Sequence, residues 1–145
     1  MFGIKALKLK EITATAAKLA LLGGSIATMG GTRTLKLNTE IKQHTLIVRI
    51  EGEVDLHVAD LFRERVDAAL EQAGVHNLLL NLARVSFIDS SGLGVILGRY
   101  KRVSQLGGKM FAVELQPQVE KIFEISGLLR IIKLYSTEKQ ALQSA

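Results

Sequence analysis

The sequence predicts a single α/β domain, a small mixed sheet of about four to five strands with α-helices packed against it. Three observations lead there. From residue 35 onward, β-rich segments alternate with segments of helical periodicity. The later strand segments, Leu78-Leu79-Leu80-Asn81-Leu82 and Met110-Phe111-Ala112-Val113, are nearly continuous apolar runs. Each helical segment is bounded by a capping residue, a proline or a glycine. Alternation builds layered sheets with right-handed crossovers, and continuous apolar runs suit strands covered on both faces. The 145 residues are 48% hydrophobic, enough for one domain with its own core. No internal repeat or low-complexity tract divides them.

In order, residues 1–33 read as an N-terminal extension, loose or weakly helical. Lys5, Lys8 and Lys10 precede a small-residue apolar run from Ile12 to Met29 that Lys18 interrupts. A basic start before an apolar run is signal-like, but this run is too short and too polar to span a membrane. Three readings stay open: an upstream start with Met29 nearer the true one, an export signal, and a membrane-surface helix. The domain proper is expected over 34–145.

Leu35, Leu37 and Ile41 alternate with polar residues, and Thr45-Leu46-Ile47-Val48-Arg49-Ile50 is β-rich, so two strands should meet at a turn near Gln43 and His44. Residues 51–55 are expected as a loop, with Asp55 capping the first helix. Val58, Leu61, Phe62, Val66, Ala69, Leu70 and Ala73 mark its buried face, and Gly74 is placed to end it. A strand follows at 78–82, and a buried strand runs up to Ile88. Helix two begins at Ser90 and stops at Gly107-Gly108. After the Met110 strand, Pro117 opens a third helix, with Val119, Ile122 and Phe123 inward and Gly127 at its end. Ile131-Ile132-Lys133-Leu134 is the last predicted strand. Thr137 and Gln140 make a capping box for a terminal helix.

The chemistry is concentrated in Ser86-Phe87-Ile88-Asp89-Ser90-Ser91-Gly92-Leu93-Gly94-Val95-Ile96-Leu97-Gly98. Each glycine in a helix costs about 1 kcal/mol against alanine, so three of them need a reason. Gly94 and Gly98, four apart, share a face of bare backbone: either the sheet packs unusually close there, or another protein lies flat on it. Ser90 and Ser91 stand at the helix mouth. They are either helix caps or phosphoacceptors, and a phosphate there would meet free backbone N–H groups and the positive helix end.

Other classes find little support. The stretch lacks the small-x-Ser-x-Gly spacing of a hydrolase elbow around either serine, and His57 is the only candidate base. It has neither a phosphate-binding glycine loop nor a dinucleotide fingerprint. His44, His57 and His76 have no metal-ligand spacing, and there is no cysteine, which fits a reducing compartment. The net charge of +5 lies mostly in residues 1–33, at +4. Residues 34–145 are at +1, and the chain has only five Phe and two Tyr. No basic stripe with aromatics marks a nucleic-acid surface.

The stretch from Phe87 to Lys101 is very similar to the signature of STAS-domain anti-sigma factor antagonists of spore-forming bacteria. Gly52-Glu53-Val54-Asp55, Leu80-Asn81-Leu82, Phe123-Glu124-Ile125-Ser126-Gly127-Leu128 and Glu138-Lys139-Gln140-Ala141-Leu142 match in order, so the resemblance covers about 35–145. It implies a cytoplasmic binding module without catalytic activity or cofactor. Its partner would be an anti-sigma factor that is also a serine kinase, and binding would release a sporulation sigma factor. Phosphorylation by that kinase, on the first serine after the motif aspartate, would end binding, and a separate serine phosphatase would restore it. That serine is Ser90. Asp55 maps to the acidic loop residue near the phosphoacceptor, and Asp89, Ser91, Gly92 and Gly94 to the surrounding motif. The expected docking surface is therefore Asp55, Asp89, Ser90, Ser91 and Gly92, with the Gly94/Gly98 face. The family often has a histidine after the loop aspartate; here Leu56 stands there, with His57 next. The extra residues 1–33 have no counterpart. A stress-response switch on the same fold, and a membrane-associated STAS regulator recruited by residues 1–33, are the alternatives.

Overall fold

The computed structural model describes residues 36–145, so the readings of residues 1–33, and of Leu35 as the start of a strand, lie outside the described residues. The described chain forms five strands, β1 (Lys36–Lys42), β2 (Thr45–Val54), β3 (Asn77–Ile88), β4 (Met110–Val113) and β5 (Lys133–Tyr135). The helices are α1 (Leu56–Leu70), α2 (Ser90–Gln105), α3 (Pro117–Ser126) and α4 (Glu138–Gln143), with a 3₁₀ turn at Leu128–Arg130. The strands lie in the order β1-β2-β3-β4-β5. β1 and β2 pair antiparallel through a tight turn at Gln43, and every later pair is parallel. Consecutive parallel strands joined by crossovers of one hand put the connecting helices on one face. Val58 and Phe62 of α1, Ile96 and Val103 of α2, and Val119 and Phe123 of α3 accordingly share one core with Leu46, Val48, Leu78 and Leu80. The alternate residues of the same strands, Ile47 and Leu79, turn to the other face and meet Phe111, Val113 and Ala141 of α4.

A polar network fastens α4. Glu138 accepts from Arg49 Nε and Nη2 at 2.9 and 2.8 Å and from Asn81 Nδ2 at 2.7 Å. Arg49 Nη2 also pairs with Glu40 at 2.8 Å. Hydrogen bonds from Arg49 hold both carboxyls below their ordinary range, and those to Glu138 above all raise the guanidinium.

The predicted fold class holds, and the element boundaries are sharper than the sequence indicated. The loop expected at 51–55 is strand as far as Val54, because Glu51, Gly52, Glu53 and Val54 pair with Arg84, Val85, Phe87 and Ile88 across two register shifts. Gly52, at φ 118°, fits those irregularities. The two strand pieces expected before Ser90 are one strand of 12 residues. α1 ends at Leu70, short of Ala73, and Gly74 takes its left-handed turn (φ 82°) in the connection beyond. β5 begins two residues later than expected, because Ile131 and Ile132 complete the turn that follows Gly127. Pro117 and Gly127 open and close α3 as predicted, Gly127 at φ 83°. Thr137 caps α4 by accepting from Gln140 N at 3.2 Å, while the Gln140 side chain accepts from Ser136 N rather than closing the box on Thr137.

Candidate docking site at two helix mouths

The register of β2 on β3 builds this site. Val54 pairs with Ile88, so the two strands end side by side, and one residue later each chain enters a helix. Asp55 therefore stands at the mouth of α1 and Asp89 at the mouth of α2, and both are N-caps. Asp55 Oδ1 accepts from His57 N at 3.0 Å. Asp89 Oδ1 accepts from Gly92 N at 3.0 Å, and its second oxygen accepts from Leu56 N of the neighbouring helix at 3.2 Å. One carboxylate thus satisfies orphan donors of two helices and fixes their mouths against each other.

Neither serine is the cap of α2. Asp89 occupies the cap position, and Ser90 is the first residue of α2. Ser90 is exposed, and no hydrogen bond engages its hydroxyl among the described residues. Ser91 is half-buried beside it. The helix mouth is also less vacant than expected, since Asp89 already occupies the Gly92 N–H. A group added to Ser90 would find the N–H groups of Ser90 and Ser91 in the first turn.

The three glycines divide into two kinds. A Cβ on Gly92 would lie 2.2 Å from the Val54 carbonyl oxygen and 2.8 Å from Ile88 Cγ2. Here the helix start is pressed on the ends of β2 and β3, and only glycine fits. A Cβ on Gly94 or Gly98 would meet nothing within 4 Å. Of the two explanations for bare backbone, close packing therefore belongs to Gly92. Gly94 and Gly98 leave an open, flat helix face.

Behind this face α2 is locked to α1. Arg99 Nε approaches Asp67 Oδ1 at 3.1 Å, in an ion pair whose alignment falls short of a hydrogen bond, and Arg102 reaches Asp67 and Glu71 at 3.4 and 3.7 Å.

Two apolar side chains at the site escaped the sequence reading. Leu56 is 69% exposed and Phe87 45% exposed. Each lies within two residues of a capping aspartate. For Leu56 the signal was available: the apolar stripe of α1 starts at Val58 and leaves Leu56 off the buried face.

Among the described residues no group of three His, Cys, Asp or Glu side chains gathers as a metal-ligand set. An open depression of about 360 Å³ is lined by Glu114, Leu115, Glu120, Tyr135, Ser136 and Gln140, and it takes in no residue of the helix mouths. No described helix is long and apolar enough to cross a membrane.

The fold and site define a small α/β module that offers a hydroxyl, flanking apolar side chains and a flat helix face on its surface. The sequence profile of the STAS domain matches residues 36–141, and the chain belongs to the STAS-domain anti-sigma factor antagonists. It is 41% identical over 110 residues to an anti-sigma F factor antagonist of Paenibacillus polymyxa, covering 74% of this chain and 94% of that one. It is 32% identical over 111 residues to the anti-sigma-B factor antagonist of Bacillus subtilis, covering 75% of this chain and all of the other. Its fold is similar to the solved structure of the Bacillus cell fate determinant SpoIIAA in the phosphorylated form, with a TM-score of 0.60 and 30% identity over 74% of this chain and 97% of that one.

Proposed function

We propose that this protein is a partner switch controlled at Ser90. With a free hydroxyl it binds an anti-sigma factor that is also a serine kinase, and a sporulation sigma factor is released. The docking surface is Asp55, Leu56, Phe87, Asp89, Ser90, Ser91 and Gly92, continued along the Gly94/Gly98 face of α2. The observation that carries this reading is the exposed Ser90, displaced from the capping role by Asp89, with the exposed Leu56 and Phe87 next to the two capping aspartates in sequence.

Transfer of the γ-phosphoryl group of ATP to Ser90 Oγ, with loss of the hydroxyl proton and release of ADP, adds about −1.5 to −2 charges at pH 7. The free protein tolerates that charge, because it is solvated and faces first-turn N–H groups. A docked partner does not, because burying it costs several kcal/mol. Raising Kd from nanomolar to micromolar takes about 4 kcal/mol, which is within reach of one buried phosphate. A serine phosphatase resets the switch, and the cycle runs in the cytoplasm.

A second reading keeps the mechanism and changes the pathway: the sigma factor serves a stress response. The relative acting against an anti-sigma-B factor favours it. Affinity capture from the native host, followed by mass spectrometry of the bound anti-sigma factor, separates the two.

The mechanism itself is tested by titration calorimetry with that anti-sigma factor. Wild type and Ser90→Ala should bind, Ser90→Asp should not, and only wild type should gain a phosphate when ATP is added. Equal binding by Ser90→Asp, or a Ser90 left unmodified by kinase and ATP, removes the proposal.

A further inference from the structure

His44 and His76, which have no metal-ligand spacing in the sequence, stand side by side in the fold. β2 and β3 are parallel neighbours that begin together, with Thr45 opposite Asn77, and the residue before each strand is a histidine. The backbone pins the pair. His44 O accepts from His76 N at 3.1 Å and from Asn77 N at 3.0 Å. On the other side, a Cβ on Gly108 would collide with the His76 carbonyl oxygen, so the chain after α2 presses closely on His76. The two imidazoles lie with their centroids 5.0 Å apart and their planes 19° from parallel. His44 is exposed and His76 half-buried, so both are open to solvent. Their nitrogens are differently committed. His44 Nδ1 stands 2.8 Å from Gly74 O. A carbonyl oxygen only accepts, so Nδ1 carries the hydrogen, and Nε2 of the neutral ring holds a bare lone pair. An imidazole N–H donated to a backbone carbonyl is also the arrangement that orients a histidine toward a metal ion. No hydrogen bond engages the His76 ring among the described residues.

We propose that His44 and His76 together bind one divalent transition-metal ion of the class that takes imidazole ligands, zinc, nickel or copper. The separation of the rings fits a shared ion. With a metal–nitrogen bond of about 2.0–2.1 Å, an imidazole centroid lies about 3.2 Å from the metal, and two centroids 5.0 Å apart subtend roughly 100° at it. That angle falls between a square or octahedral corner, about 90°, and a tetrahedral one, about 109°. For both nitrogens to aim at one ion the stack must open. The His76 ring, which no hydrogen bond holds among the described residues, turns about its Cα–Cβ and Cβ–Cγ bonds to do so. His44 Nε2 and one ring nitrogen of His76 are the protein ligands, and water completes the coordination. A bound ion ties the β1–β2 turn to the connection that enters β3. His76 stands just before β3 and Ser90 just after it, so the site lies at the opposite end of that strand from the helix mouths.

The full chain has one other histidine, His57, and no cysteine, so the test is clean. Titration calorimetry with nickel chloride should show one ion bound per chain, and magnesium chloride should give no binding, because magnesium takes oxygen ligands. His44→Gln and His76→Gln should each weaken nickel binding by about tenfold or more, since losing either ring breaks the chelate. The double variant should be no weaker than the singles. His57→Gln should bind as wild type does. Absence of nickel binding by wild type, losses that simply add in the double variant, or a loss in His57→Gln overturns the proposal. A second measurement covers the case in which His76→Gln fails to fold. Excess nickel should raise the thermal unfolding midpoint of wild type and leave that of His44→Gln, a change at an exposed side chain, where it was. An equal rise in both overturns the site. Neither readout depends on phosphorylation or on the anti-sigma factor.

Discussion

The first turn of α2 and the two turns after it both carry glycine, for opposite reasons. At Gly92 the helix is jammed against the Val54 carbonyl, and the missing side chain makes room for the fold. At Gly94 and Gly98 the missing side chain leaves space that no part of the described chain fills. The first glycine belongs to folding, and the other two leave bare backbone on the surface of the helix. The same split runs through the neighbouring residues. Asp89 is tied into two helices, while Ser90, next to it, is exposed, with its hydroxyl unengaged among the described residues. The exposed hydroxyl thus lies one residue away from the groups that hold the structure.

The sharpest break of the comparison is Ser90→Asp. It should cost about 4 kcal/mol of partner affinity, a thousandfold in Kd, and leave the unfolding midpoint close to wild type, as calorimetry and circular dichroism would show. Gly92→Ala should do the reverse. The added methyl collides with backbone, and overpacking of that kind costs about 3 kcal/mol of stability in denaturant titrations. Asp89→Ala leaves Gly92 N and Leu56 N without their acceptor, and about 2 kcal/mol of stability should go with it. Gly94→Ala meets no clash and gains helix propensity, so the free protein should become more stable by up to about 1 kcal/mol. Its affinity for the partner should fall, because the added methyl stands on the docking face. An alanine there that stabilises and binds normally would remove Gly94 from the surface proposed above.

The smallest effect lies away from the helix mouths. Glu138 and Glu40 have folded carboxyl pKa values depressed by Arg49, below the ordinary 4.5. A depressed folded pKa gives stability that is present above 4.5 and is lost as pH falls through the folded values. Pairs this exposed contribute about 0.5–1 kcal/mol. The unfolding midpoint should therefore drop between pH 5 and pH 3, and drop less in Arg49→Met. That variant should bind the partner as wild type does, which sets the α4 side of the sheet apart from the docking face.

Much of this was legible before any coordinates. Asp55, Pro117, Gly127 and Thr137 act within a turn of chain, so their capping roles can be read from their neighbours. The misreadings fall where partners are distant in sequence. Residues 51–54 look like a loop because Gly52 and two acids disfavour a strand locally, and pairing with β3 overrides that preference. Ser90 and Asp89 are both good cap residues, and sequence alone does not say which one takes the position.

What the chain of residues determined by itself is the α/β layering, the helix that starts at Ser90 and a motif that sets a hydroxyl at its mouth. These follow from periodicity, apolar runs and caps, whose range is a few residues. Only the tertiary structure decided that the mouths of α1 and α2 lie together, bridged by Asp89, and that one glycine is buried in the fold while two leave open backbone on the helix surface. Those facts depend on the register of β2 against β3, which joins residues more than thirty positions apart and is set by the packing of the whole sheet.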